Sequence, residues 1–276
     1  MKWLKALGYY LQSLFLMVFQ VHNWLALLPL FLRKPNGRES MLRLKHPPVV
    51  MWVRSAMDAW SVKETFLDAF YTRYGIPVEN GWKVVDIGAG IGDFAVYAAW
   101  SRPQTVVLAF EPFPGSYRLL AKNLSANHLT NVEIFPMAVW GSGGDLLLDL
   151  SSGEPLQIAS MASTNGDARS AKIAVPAVTL QSLVDQHQLD CIDLLKLDCE
   201  GAEYEILMKT PASILKKIER IIMEYHDLNE TANHKVLSAF LESQGYRVRL
   251  THNFVHEEIG YLYAQRVQSA GDCSDE

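Results

Sequence analysis

The chain has 276 residues, 49% of them hydrophobic, and a formal net charge of −5. That length holds one α/β domain with additions around a large core, and the acidic balance lacks the basic stripe that nucleic-acid binding requires. The three cysteines, Cys191, Cys199 and Cys273, are odd in number and scattered, which argues against a disulfide framework or a zinc site and for reduced thiols in the cytoplasm.

The first stretch, Leu4–Leu32, is unusually apolar. Its best run is Ala6–Phe19, broken only by Gln12 and Ser13. Gln20, His22 and Asn23 interrupt it before a second apolar segment, Trp24–Leu32, that contains Pro29. A membrane-spanning helix takes about 20 apolar residues, so this stretch spans only if the His22–Asn23 break is tolerated. Three readings stay open. One is an embedded or interfacial membrane anchor over residues 4–32, with Trp3, Tyr9, Tyr10 and Trp24 at the headgroups. Another is a pair of helices packed on the main domain or a partner. The third is a cleaved signal peptide, although no small-residue cleavage site follows the run. Arg33–His46 is a basic linker suited to an anionic surface. The expected organisation is an extension and linker over 1–46, a domain over 47–268 and a polar tail over 269–276, placed at the cytoplasmic face of a membrane.

Val49–Val53 reads as a short strand. Ala56–Tyr74 follows with helical spacing, capped by Ser61 or Asp58. Arg54 and Asp58, at the turn between them, are either a capping pair or contacts at the mouth of a site.

Val84–Ala99, VVDIGAGIGDFAVYAA, is the densest signal. Val84, Val85 and Ile87 form a buried strand, with Asp86 near its end. Gly88, Gly90 and Gly92 allow a tight turn and close backbone approach to a ligand. A helix follows, Gly92–Trp100. The spacing G-x-G-x-G is not the dinucleotide fingerprint, and no Walker lysine follows. Thr105–Glu111 is strand two, stopped by Pro112. In a parallel sheet its terminal acid faces the same crevice as the glycine turn. Glu111 stands about 20 residues beyond the glycines, the interval of an acid that accepts both hydroxyls of a ribose.

Tyr117–Asn127 is a helix, and Val132–Val139 is strand three, whose end at Met137, Ala138 and Val139 would border an adenine. Extra strands over Asp145–Leu150 and Ile173–Val178 frame a polar loop, Ser151–Lys172, either a lid or a surface excursion. Thr179–Gln188 is a capped helix. Strand four, Ile192–Leu197, leads into Lys196-Leu197-Asp198-Cys199-Glu200-Gly201-Ala202-Glu203. Alternation sets Lys196 and Asp198 opposite Leu195 and Leu197, and charges so near a buried strand must be paired or functional. Strand five, Ile218–Glu224, ends beside His226. Asn233–Gln244 is a helix, and Tyr246–Leu250 with Ile259–Gln265 close the sheet as an antiparallel pair.

DIGAGIGDFAVYAA, FEP, the L-x-x-N of Leu120–Asn123, LLKLDCEGAEYEIL and IIMEYH together resemble the FkbM family of methyltransferases. The resemblance covers Val84–His226, and more loosely Val53–Tyr263. It implies a Rossmann-like class I methyltransferase, with a seven-stranded, mostly parallel sheet, helices on both faces and, here, an apolar N-terminal helical extension. It also implies S-adenosylmethionine as cofactor and O-methylation of a hydroxyl on a small molecule, glycan or glycolipid. On that basis Glu111 holds the ribose. Asp86 and the backbone of Gly88, Ala89, Gly90 and Gly92 hold the methionine end, Pro112 follows the ribose acid, and Ala138 and Val139 border the adenine. Asp198, beside the cofactor, is the expected proton acceptor and Lys196 tunes it. Glu200 and Glu203 orient the turn or bind acceptor hydroxyls, and Glu224 with His226 is the competing base. Trp52, Trp60 and Trp140 are core residues or sugar-stacking platforms. Carboxylates converge here, but no ligand spacing demands a divalent metal. The competing readings are a nicotinamide-dependent oxidoreductase and a non-catalytic membrane scaffold.

Overall fold

The structure is a computed structural model that describes residues 2–32, 38–149, 158–159, 172–253 and 258–267. Residues 33–37 of the basic linker, the tail 269–276 with Cys273, and the loop read as a lid (apart from 158–159 and Lys172) lie outside the described residues. The chain divides into two units, Met1–Ala138 and Val139–Glu276.

In the first unit the apolar N-terminus forms α1 (Lys2–Gln20), a 3-10 turn (Trp24–Leu27) and α2 (Leu28–Leu32). No helix among the described residues is long and apolar enough to cross a membrane. The polar break is structural. Val21 bridges Leu44, His22 N donates to Arg43 O at 2.8 Å, and Asn23 binds Met41 O and Arg43 N at 2.6 and 2.9 Å. These partners lie in and just after β1 (Ser40–Arg43), which pairs antiparallel with β2 (Val50–Val53).

The single helix expected over Ala56–Tyr74 is two: α3 (Ala56–Phe66) and α4 (Phe70–Tyr74). Ala69 takes a left-handed φ of 51°, which no helix interior accommodates. The cap is neither Ser61 nor Asp58 but Ser55, whose Oγ accepts from Asp58 N at 3.0 Å.

β3 (Lys83–Ile87), β4 (Val106–Phe110) and β5 (Val132–Phe135) are parallel, with Asp86 opposite Ala109 and Ala109 opposite Ile134. α5 (Asp93–Ala99) follows β3, and α6 (Pro114–Ala126) follows β4 with Leu119, Leu120 and Leu124 buried. Each buried leucine contributes roughly 1.5–3 kcal/mol. Asn123 on α6 and Asn127, which caps the C-terminus of that helix, clasp β2 as a neighbouring strand would. Asn123 accepts from Trp52 N at 2.6 Å and donates to Trp52 O at 3.1 Å, and Asn127 does the same for Val50 at 2.9 and 2.6 Å. Asn123 also donates to Ile91 O at 2.8 Å, which ties the glycine turn to this clasp.

Strand three does not run through Val139. Pro136 cannot donate to the ladder, the strand ends at Phe135, and Ala138–Val139 is a separate β6. Ala138 and Val139, the residues expected to border an adenine, therefore belong to a second, four-stranded sheet. Its order is β6-β9-β7-β8, with β7 (Gly144–Asp149), β8 (Ile158–Ala159) and β9 (Lys172–Val178).

In the second unit α7 (Leu180–Gln186) is capped by Thr179, whose Oγ1 accepts from Ser182 N. β10 (Leu194–Leu197) runs parallel to β11 (Arg220–His226), with α8 (Glu203–Lys209) and α9 (Ala212–Leu215) between them in sequence. After α10 (His234–Ser243), β12 (Tyr246–His252) and β13 (Ile259–Arg266) form the expected antiparallel pair, and β13 also pairs with β11. The architecture is α/β, with a seven-stranded, mostly parallel sheet in the order β12-β13-β11-β10-β3-β4-β5.

Candidate active site

In the first unit the glycine turn and the strand-two acid meet. Gly88 N and Ala89 N each donate to Phe110 O at 3.0 Å, which folds the turn back over the end of β4. Gly90 N donates to Glu111 Oε2 at 2.7 Å, and Phe113 N donates to Glu111 Oε1 at 2.8 Å. Pro112, between the two, has no N–H to compete. Glu111 is thus a buried carboxylate, 5% exposed, aimed by two backbone donors. A carboxylate has about four acceptor positions, so it can take further hydroxyl donors without giving these up.

Two glycines carry different constraints. Gly92 has φ of 85°, and a Cβ there would collide with Leu120 Cδ1, so it packs the turn onto α6. Gly90 has φ of 55°, and nothing lies within 4 Å of where its Cβ would stand. Open space over a backbone bend, next to an oriented acid, is what a bound ribose and amino-acid tail require. Asp86 is fully buried near the end of β3. The oriented Glu111 carboxylate and the space over Gly90 are compatible with the S-adenosylmethionine assigned to this turn.

Arg54 and Asp58 act as a capping pair. Asp58 Oδ2 accepts from Arg54 N at 2.8 Å and lies 3.3 Å from Arg54 Nε, and Arg54 Nη2 donates to Ser116 Oγ at 2.8 Å. Burial pushes the Asp58 carboxyl up, against the pull of the Arg54 charge. Trp52 and Trp60 have cations over their rings, Lys122 at 3.3 Å and Lys63 at 4.5 Å from the centroids.

The second unit holds the charged turn. Lys196 is buried along with Leu194, Leu195 and Leu197. Both faces of this parallel strand are covered, so Lys196 is buried as the leucines on the opposite face are. Beyond β10 the chain turns through Glu200 (φ 53°) and Gly201 (φ 96°). Glu203, wholly buried, holds that turn: its Oε1 accepts from Cys199 N at 3.0 Å and Gly201 N at 3.3 Å. Burial, then the charges of Glu203 and Asp198, push the Cys199 thiol well up, so it stays protonated and non-nucleophilic.

His226 lies among these carboxylates. Its Nε2 is 3.4 Å from Glu200 and 3.9 Å from Glu224, and its Nδ1 is 3.7 Å from Glu203. Burial alone would lower its pKa, but Glu203, Glu200 and Asp198 outweigh that and raise it to about 9. At neutral pH the ring is an imidazolium, so it balances the acids and is not poised to take a proton. No group of three or more His, Cys, Asp and Glu among the described residues is arranged to hold a metal ion.

The raised pKa has a stability consequence. A group with folded pKa about 9 against 6.5 unfolded stabilises the fold fully below pH 6.5 and loses that contribution as pH rises through 9. The expected loss is roughly 2–4 kcal/mol. Denaturant midpoints should fall between pH 7 and pH 10, and His226→Gln should flatten that slope; an unchanged slope in the variant refutes the assignment.

Sequence reasoning missed the Asn123–Asn127 clasp, although L-x-x-N occurs twice in tandem, at Leu120–Asn123 and Leu124–Asn127. It also missed the pairing of Asp227 with His234, whose Nδ1 lies 2.7 Å from Asp227 Oδ2, and the buried hydrogen bond from Thr65 Oγ1 to Asp93. Neither pair has a local signal.

A family model described as "Methyltransferase FkbM domain" matches residues 86–248. The chain is 25% identical to 31-O-demethyl-FK506 methyltransferase FkbM of Streptomyces tacrolimicus, over 82% of this chain and 96% of that protein. It is 27% identical to methyltransferase sdnD of Sordaria araneosa, over 67% and 81%. The AMB antimetabolite synthetase AmbE of Pseudomonas aeruginosa is 26% identical over 68% of this chain, which spans only 10% of that protein's length. Among solved structures, methyltransferase FkbM from Methylobacillus flagellatus KT aligns with a TM-score of 0.46 at 15% identity, over 67% of this chain and 43% of that one. Precorrin-6y C5,15-methyltransferase from Geobacter metallireducens GS-15 aligns with a TM-score of 0.41 at 15% identity, over 68% and 82%.

Proposed function

The chain belongs to the FkbM methyltransferase family, and from that premise we propose that it methylates a hydroxyl oxygen with S-adenosylmethionine. The observation that carries this reading is the Glu111 carboxylate, held by Gly90 N and Phe113 N beside open space over Gly90. Glu111 accepts the ribose hydroxyls. The Gly88–Gly92 backbone and Asp86 receive the methionine end, and Ala138 and Val139 border the adenine.

The cofactor supplies a methyl group already made electrophilic by its sulfonium. The remaining work of the protein is alignment, which is worth several kcal/mol, and removal of the hydroxyl proton as the C–O bond forms. Asp198 takes that proton. Lys196, buried two residues before it, tunes its charge. Glu200 and Glu224, more exposed than Glu203, accept hydroxyl donors of the acceptor. His226, held as a cation, keeps these acids from repelling one another and is not the base.

A polyhydroxylated acceptor, a glycan or glycolipid, suits a turn rich in acceptor-only groups. One relative is named as a methyltransferase of 31-O-demethyl-FK506, which favours oxygen as the methylated atom. The proposed location is the cytoplasmic face of a membrane.

Calorimetric titration with S-adenosylmethionine and, separately, with NAD(H) tests the reading. Saturable binding of the sulfonium cofactor is expected. Binding of NAD(H) alone would replace it with the oxidoreductase reading.

A further inference from the structure

Helix α1 has two unlike faces. Ser13 and Met17, with Val21 just beyond the helix, are buried. On the same side Lys63 pins the helix to α3. Its ammonium is nearly inaccessible and lies 2.8 Å from Tyr9 Oη and 2.5 Å from Asp68 Oδ2. It also sits 4.3 Å and 4.5 Å from the ring centroids of Tyr9 and Trp60. A lysine buried this deeply is tolerated because it is paired and sits against ring faces.

The opposite face is bare. Leu11, Phe15 and Phe19, spaced four residues apart, are each more than half exposed, and Leu25 and Leu32 continue the exposure beyond the break. The Phe15 and Phe19 rings lie against each other, 4.3 Å between centroids. Scattered exposed apolar residues need no explanation, but a row at helical spacing marks an interaction surface.

Charge selects the occupant. The first acid of the chain is Glu39, so residues 1–38 carry Lys2, Lys5, Arg33, Lys34 and Arg38 and no carboxylate. A second copy docked on this face would bring two cationic segments together. An anionic lipid surface complements both the apolar row and its flanking charge. No helix among the described residues is long and apolar enough to cross a membrane, and the Asn23 contacts with Met41 and Arg43 hold the chain at the end of α1 against β1. We propose that α1 and α2 lie in the plane of an anionic bilayer, with the row from Leu11 to Leu32 immersed at the headgroup boundary. This inference stands independently of the methyl-transfer reading.

Flotation of the full chain with vesicles tests it. The protein should float with phosphatidylcholine vesicles containing about one-third phosphatidylglycerol, less with phosphatidylcholine alone, and less again at raised salt. The double variant Phe15→Ser/Leu25→Ser should bind the mixed vesicles at least about tenfold more weakly. Lys2→Ser/Lys5→Ser, which leaves the apolar row intact, should narrow the difference between the two vesicle types. S-adenosylmethionine titration of the same proteins reports the fold and separates this test from the functional one: lost flotation with unchanged cofactor affinity is the expected pattern. Failure of the wild-type chain to float, equal flotation of the Phe15→Ser/Leu25→Ser protein, or a concentration-dependent dimer that this variant abolishes would each overturn the proposal.

Discussion

Glu111→Ala should weaken S-adenosylmethionine binding by about 100- to 1000-fold. The effect is expected to be large because the carboxylate has two tasks. It orients Gly90 N and Phe113 N, and in the proposed complex its remaining acceptor positions take the ribose hydroxyls. Hydrogen bonds to a charged acceptor are worth roughly 1.5–3 kcal/mol each, so losing two toward the ligand at the lower end of that range, about 3–4 kcal/mol together, accounts for the loss. The alanine also leaves two backbone donors at the turn without their acceptor, which loosens the bend that shapes the space over Gly90. Glu111→Gln separates the two tasks. It retains one carbonyl oxygen, but its amide nitrogen must face either Gly90 N or Phe113 N, donor against donor. Its affinity should therefore lie between wild type and alanine. Calorimetry on all three proteins decides the matter, and an alanine variant with unaltered affinity would remove Glu111 from the cofactor site.

What could be read from the sequence was local. Val84–Ile87, the glycine turn and Glu111 are a strand, a bend and a strand end, and each advertises itself within a few residues. Their meeting follows from the parallel pairing of β3 and β4, which the order of strands already implied. The failures have equally specific causes. Ala69 breaks a helix that periodicity draws as continuous, because one left-handed residue leaves no mark on an apolar pattern. Pro136 does leave a mark, yet an apolar run through Val139 hid the break and joined two strands of different sheets. The charge on His226 depends on Glu203, Glu200 and Asp198 reaching it from the turn after β10 and the start of α8, and the Asn123–Asn127 clasp depends on a strand some 70 residues earlier. Contacts of that kind exist only after the fold is made.

Asp198→Asn should leave cofactor affinity nearly unchanged and lower kcat by about 100- to 10,000-fold, the usual range for loss of a positioned proton acceptor. Asparagine keeps the size of the side chain and removes its charge and its capacity to take a proton. The measurement is transfer of a labelled methyl group to the first acceptor found in a screen of hydroxylated glycolipids. The pH profile then distinguishes Asp198 from His226. A carboxylate base serves with little change across neutral pH. His226, with its pKa of about 9, could act as base only once deprotonated, so activity would climb steeply toward that value. If His226 instead balances charge, His226→Gln should leave activity well above that of Asp198→Asn and weaken chiefly the binding of acceptor, since Glu200 and Glu224 would then repel without a cation between them. Full activity in Asp198→Asn, together with a rate that rises through pH 9 and vanishes in His226→Gln, would move the proton acceptor from the end of β10 to the end of β11.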